Sequence, residues 1–261
     1  MTGKVVVVMT SLLEPDEPEP FEVHPGDGVS PYLLTVDHGG RYLPRALGRL
    51  GLDERELERH IAWDIGIAEV SRRVAARLSA FLIVQPYSRL VIDCNRPPDV
   101  DSSIAELSER TLIPGNQGLS AEQRAQRRAA IFDPYHARIE AELARRQREG
   151  QATILIAMHS FTARYKDEDR EWQAGVLYNR DPRLALRLRD AMQTEGLHVG
   201  DNQPYFVSDE SDYGIPVYGE QRGNVHVELE IRQDLIADAE GQARMSDILC
   251  RAIPVAAAPY L

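Results

Sequence analysis

The chain has 261 residues, 43% hydrophobic and 27% charged, with a formal net charge of −11. That length and balance fit one large α/β domain with a sizeable core, spanning residues 1–261 without internal repeat or low-complexity linker. The negative charge argues against a nucleic-acid or anionic-membrane partner, which would require clustered Lys and Arg, though a small anionic substrate responds only to its pocket's local field.

Two cysteines, Cys94 and Cys250, lie far apart and form no CxxC pair. Neither a disulfide framework nor a thiolate zinc knot is expected, and a reducing cytoplasm is the expected location. No stretch approaches the ~20 apolar residues of a membrane span. Residues 5–9 read as a strand rather than a signal peptide, because an acidic, proline-rich stretch follows and no small-residue cleavage site does.

Residues 32–37 form a clearer strand, ending at His38-Gly39-Gly40. Ile67, Val70, Val74 and Leu78 recur at helical spacing, so residues 64–78 predict an amphipathic helix. Residues 81–84 and 90–92 follow as two short strands. Residues 99–119 are rich in turn formers and predict a long loop across one face. Ser120 with Gln123 makes a capping box, and Ile131, Tyr135, Ile139 and Leu143 carry a long helix toward Gly150. Residues 153–157 are continuously apolar, as in a strand buried on both faces. A helix over 182–195 closed by Gly196, an alternating strand over 224–231 and a helix over about 241–250 complete the chain. Such alternation predicts a central, mixed or parallel sheet with helices on both faces.

Ligands in an open α/β sheet bind beyond the carboxyl ends of strands. Asp37-His38-Gly39-Gly40 and His159-Ser160-Phe161 both fall at such ends, and His226, Glu228 and Glu230 share one face of the late strand. Two histidines with a nearby carboxylate are the ingredients of a catalytic zinc site, which takes three protein ligands and leaves one position open. Asp64, at a helix start soon after the His38 loop, is the candidate third ligand; hydrogen-bonded structural histidines are the alternative. The other histidines show no comparable pattern: His60 and His136 are expected on helices, His24 and His198 in loops. Glu230 is a candidate general base, or equally one of a row of solvent-facing acids. Arg89 and Arg96, with Asn95, can fork onto a substrate carboxylate or pair with surface acids.

Five pieces of the chain, in order, resemble the N-formylglutamate amidohydrolase family. They are Val36-Asp37-His38-Gly39-Gly40 with Pro44; His60-Ile61-Ala62-Trp63-Asp64-Ile65-Gly66; Ser88-Arg89 through Asp93-Cys94-Asn95-Arg96-Pro97; His159-Ser160-Phe161; and Glu230-Ile231-Arg232-Gln233-Asp234-Leu235-Ile236. The resemblance implies a three-layer α/β/α sandwich on a central mixed, largely parallel sheet, similar to the zinc carboxypeptidases and the wider phosphorylase/hydrolase-like group. It implies one catalytic zinc on His38 and His159, Glu230 as the base, and Arg89, Asn95 and Arg96 receiving substrate carboxylates. The chain departs from the carboxypeptidase pattern where a ligating glutamate would follow the first histidine by three residues: Arg41 stands there. The resemblance therefore leaves the third ligand unassigned; Asp64 stays the candidate by its position after the His38 loop, and Arg41 and Arg232 join the substrate-binding candidates. The implied reaction is hydrolysis of N-formyl-L-glutamate to formate and L-glutamate, as in histidine degradation. Two other readings stand beside it: a zinc amidase or carboxypeptidase-like enzyme for another N-acyl amino acid or short peptide, and a non-catalytic protein of the same fold that binds small carboxylates.

Overall fold

Short apolar runs alternate with amphipathic helices and assemble as a seven-stranded sheet between two helical layers. The computed structural model describes residues 12–261; the strand expected over residues 5–9 lies outside them. In chain order the strands are β1 (Glu22–His24), β2 (Tyr32–Val36), β3 (Phe81–Val84), β4 (Leu107–Ser108), β5 (Thr111–Leu112), β6 (Ile154–Phe161), β7 (Arg164–Tyr165), β8 (Glu168–Asp169), β9 (Ala174–Leu177), β10 (Val199–Asp201) and β11 (Val225–Arg232). The α-helices are α1 (Glu54–Leu57), α2 (Ile67–Leu78), α3 (Ala121–Arg127), α4 (Asp133–Arg148), α5 (Arg183–Thr194) and α6 (Ala239–Ala257).

The main sheet runs β1-β3-β2-β6-β11-β9-β10, while β4–β5 and β7–β8 form two small hairpins outside it. Neighbours from β3 to β11 are parallel, as are β9 and β10; β1 on β3 and β9 on β11 are antiparallel. The sheet is thus mixed and largely parallel, and the expected three-layer sandwich is what the chain forms. Successive side chains along a strand point to opposite faces. Leu34, Ile156, Val227 and Leu229 accordingly pack beneath α2, α5 and α6, while Leu33, Ile83, Leu155 and Ala157 pack with Tyr135, Ile139 and Leu143 of α4. This alternation turns the odd-numbered residues at the ends of β2 and β6, and the even-numbered acids of β11, toward the α4 side.

Local chemistry sets several boundaries. The helix expected from residue 64 begins at Ile67, after Gly66 takes φ +82°; a Cβ there would stand 2.2 Å from the Ile236 carbonyl oxygen. That turn leaves Asp64 outside the helix, its N–H donating to the His38 carbonyl at 2.9 Å. The Ser120–Gln123 capping box forms as expected. A wide π-helical stretch, Arg128–Phe132, separates α3 from α4.

Residues 90–92 are a buried turn, not a strand: Val91 N–H closes on Ser88 and Arg89 N–H on Ala62, so the apolar run fills the core without joining a ladder. The 99–119 segment carries 3-10 turns and the β4–β5 hairpin. The last helix continues past Cys250 to Ala257. Cys94 is buried, and neither cysteine forms a disulfide. Among the described residues no helix is long and apolar enough to cross a membrane.

Candidate active site

The carboxyl ends of β2, β6 and β11 open into a cavity of about 550 Å³. His38 enters from the turn after β2. Its exit path needs Gly40, where a Cβ would lie 2.0 Å from the Pro86 carbonyl oxygen. His159 projects from β6, and Glu230 is its register partner across the β6–β11 ladder, so the two side chains leave the sheet on one face. Asp64 arrives from the loop that Gly66 ends.

His38, Asp64 and His159 are all buried, and one donor atom from each lies within 4.8 Å of the others. Asp64 Oδ2 stands 3.0 Å from His159 Nδ1 and 3.5 Å from His38 Nδ1. The remaining ring nitrogens turn outward to carboxylates. His38 Nε2 meets Asp93 Oδ1 at 2.7 Å, and His159 Nε2 stands 3.3 Å from Asp37 Oδ2. Behind them, Tyr135 Oη donates to Asp37 Oδ1 at 2.8 Å, and Arg89 and the Asn95 N–H hold Asp93. A carboxylate behind each imidazole is how metal-binding histidines are oriented and made more basic.

The donor set fits a metal ion. His38 Nδ1 is buried and has no hydrogen-bond partner, yet it faces Asp64. Burial disfavours charge on His159, but Glu228, Asp37 and Asp64 around it raise its pKa well above the usual histidine range. Burial likewise pushes Asp64 up, and the two imidazoles beside it pull it below the usual carboxylate value. The field between the rings therefore favours positive charge, which a divalent ion supplies. Two imidazoles and one carboxylate are a common catalytic zinc donor set.

Glu228 and Glu230 do not face solvent; they are 4% and 6% exposed and line the cavity. Burial raises each to about 8, against the pull of His159. Glu230 Oε2 has no partner, whereas Glu228 Oε2 accepts from Asn95 Nδ2 at 3.3 Å. Of two neighbouring acids, Glu230 is the one with a fully buried oxygen that has no partner. His226 shares their face but lies at the far end of β11, its Nδ1 on the Asn224 carbonyl.

The N-formylglutamate amidohydrolase family model matches residues 30–237. The chain belongs to that family. It is 31% identical over 179 residues to the N-formylglutamate deformylase of Pseudomonas aeruginosa; the match covers 62% of this chain and 65% of that protein. Among solved structures, the Agrobacterium tumefaciens gene product Atu2144 superposes with a TM-score of 0.91 at 32% identity, covering 95% of this chain and 98% of that one. The N-formylglutamate amidohydrolase from Ralstonia eutropha JMP134 gives a TM-score of 0.67 at 21% identity over 92% and 97%, a likeness of fold.

Within this family member, Arg89, Asn95 and Arg96 line the cavity with the His38–Asp64–His159 cluster and Glu230. Arg41 and Arg232 do not. Arg41 lies over the Trp63 ring and faces Glu54 and Glu58, because the chain after Gly40 runs outward along α1. Arg232, at the end of β11, forks onto Asp234 and donates to the Arg170 and Trp172 carbonyls, which staples the strand end to the loop before β9. His60 is on a turn rather than a helix and belongs to the cavity wall, 3.6 Å from Glu109. Asp37, Asp93, Tyr135 and Glu228 carry no role in the sequence reading. Asp37 and Asp93 lie inside the matched pieces, but only folding shows which histidine each one backs. Tyr165, Tyr205 and Phe206 form an aromatic rim that no spacing signals.

Proposed function

We propose that this chain is a zinc-dependent amidohydrolase that splits N-formyl-L-glutamate into formate and L-glutamate. The observation that carries it is the buried His38–Asp64–His159 cluster with the unpartnered Glu230 carboxylate beside it, in a chain of this family. Zinc held by those three residues would polarise the formyl carbonyl and acidify the attacking water. Glu230 removes a proton from that water and returns it to the amide nitrogen as the carbon–nitrogen bond breaks, so a single carboxylate serves as base and then acid. Asp93 and Asp37 hold the two imidazoles in one orientation throughout. Arg96 faces the cavity and receives the α-carboxylate of the substrate, beside Asn95, whose Nδ2 already donates to Glu228 and Asp212. Glu228, bonded to Asn95, fixes that amide's orientation.

A second reading is supported by cavity size. About 550 Å³ is roomier than a formylated amino acid needs, which favours a zinc amidase accepting a larger N-acyl group. Formate release from N-formyl-L-glutamate and acetate release from N-acetyl-L-glutamate, each with zinc and with a chelator, separate the two. Zinc-dependent release of formate alone is the expected result. Faster release of acetate would move the assignment to the larger acyl group, and no chelator effect on either would reject the metal-dependent reading. His159→Ala should lose metal and activity together.

A further inference from the structure

We propose that Arg170 forms the subsite for the side-chain carboxylate of the substrate, at the aromatic end of the cavity. Arg170 follows the β7–β8 hairpin, and its guanidinium carbon lies 4.6 Å from the Tyr205 ring centroid, 4.9 Å from Tyr165 and 5.7 Å from Phe161. All three rings line the same cavity as His38, His159 and Glu230. Nη1 donates to Tyr205 Oη at 2.6 Å. Among the described residues no carboxylate pairs with Arg170, whereas Arg89 and Arg96 both face Asp93. Aromatic faces attract and orient a guanidinium without neutralising it, and its five N–H donors leave a fork free for an anion.

Charge balance points the same way. Six acidic side chains line the cavity against two arginines, and one of those, Arg89, is bonded to Asp93. A substrate with two carboxylates entering such a cavity needs a further cation near it. Arg170 supplies one immediately behind the lining: it is not itself a lining residue, but it packs on the Tyr205, Tyr165 and Phe161 rings that are, and the substrate carboxylate reaches its fork at the edge of that wall. His60 lies against the Tyr165 ring that Arg170 covers, its buried Nε2 without a hydrogen bond and 3.6 Å from Glu109 Oε2. With the formyl carbon at the metal-binding cluster and the α-carboxylate at Arg96, the side chain of glutamate is left to extend toward this cation. The proposal rests on the amidohydrolase reading and adds the residue that distinguishes glutamate from its neutral analogue glutamine.

A merely structural role would be to pin the aromatic rim, since the three rings come from three separate segments. The test compares the zinc-loaded full chain with Arg170→Gln and Arg170→Lys. It measures kcat/KM on N-formyl-L-glutamate and N-formyl-L-glutamine, and calorimetric binding of L-glutamate and L-glutamine. Removing a hydrogen-bonded charge partner should cost the glutamate compounds roughly 10- to 100-fold in R170Q and leave the glutamine compounds nearly unchanged. R170K, which keeps the charge without the fork, should fall between. Equal losses on both compounds, or no loss on either, would overturn the assignment in favour of a pin. A wild-type protein that shows no preference for L-glutamate over L-glutamine would overturn it as well. Absence of turnover on either formyl compound would instead reject the amidohydrolase reading, while the glutamate-against-glutamine calorimetry still reads Arg170.

Discussion

Asp93→Asn removes one negative charge from behind His38 while keeping the side chain's shape. In the wild-type protein Asp93 Oδ1 meets His38 Nε2 at 2.7 Å, and the carboxylate is 4% exposed, so the contact is poorly screened by water. Burial opposes ionisation of Asp93, but Arg89 and His38 beside it hold it well below the usual carboxylate range. The amide variant accepts a weaker hydrogen bond from His38 and lowers the basicity of the opposite nitrogen, Nδ1. It also leaves Arg89 without its bonded partner, and Arg89 Nη1 already lies 3.8 Å from Asp64 Oδ1. The released guanidinium then competes with metal for Asp64. Loss of a carboxylate behind a ligating histidine typically costs 10- to 100-fold in metal affinity, about 1.4–2.7 kcal/mol. The second consequence places the expectation near the upper end of that range. The assay is competition for zinc between metal-stripped protein and a chromophoric chelator, with circular dichroism to show that the variant is folded. A folded Asp93→Asn protein binding zinc within about twofold of wild type would refute the link between Asp93 and the site.

Other expectations bear on separate parts of the molecule. Glu230→Gln should retain zinc and lose about 10²- to 10⁴-fold in kcat, the usual weight of a general acid–base group; near-normal turnover would clear Glu230 of that duty. Arg96→Ala should chiefly raise KM for N-formyl-L-glutamate, and an unchanged KM with a lowered kcat would count against carboxylate anchoring. His136 tests the fold's pH dependence: burial lowers its pKa from 6.5 to about 4, helped by Arg128 and opposed by Asp37 and Asp133, with Tyr218 Oη 2.6 Å from Nδ1 and the Phe132 and Tyr213 rings against it. The unfolded chain takes up a proton below about pH 6.5 and the native state does not, so this stability is full above that pH and falls as pH drops toward 4. Urea unfolding should show about 2 kcal/mol less stability at pH 5 than at pH 7 from this group. Subtracting the pH dependence of His136→Gln isolates it, and identical slopes for the two proteins would contradict a buried neutral imidazole.

Much of this protein was legible from residue order. The apolar run of β6 and the helical spacing of α2 and α4 set the layers, because burial demands those periods wherever an element packs on a sheet. Short strands such as β1 and β10, three residues each, carry too few residues to show a period. Residues 90–92 show the reverse error, since three buried apolar residues satisfy a turn as well as a strand. At the site, His38, Asp64, His159 and Glu230 could be singled out because strand ends and a matched order of pieces mark them. Their roles became distinct only in three dimensions. The β6–β11 register sets Glu230 beside His159, and folding brings Asp93 to one imidazole and Asp37 to the other across sequence separations of 55 and 122 residues. The arginines show the limit most plainly: Arg41 and Arg232 sit beside motif residues in the chain and turn away from the cavity, while Arg170, outside every motif, is held against its aromatic wall. Sequence fixes which side chains are available and which way a regular element turns them; which charges end up close enough to share a field is decided by packing, because Coulomb interaction depends on distance through space and not along the chain.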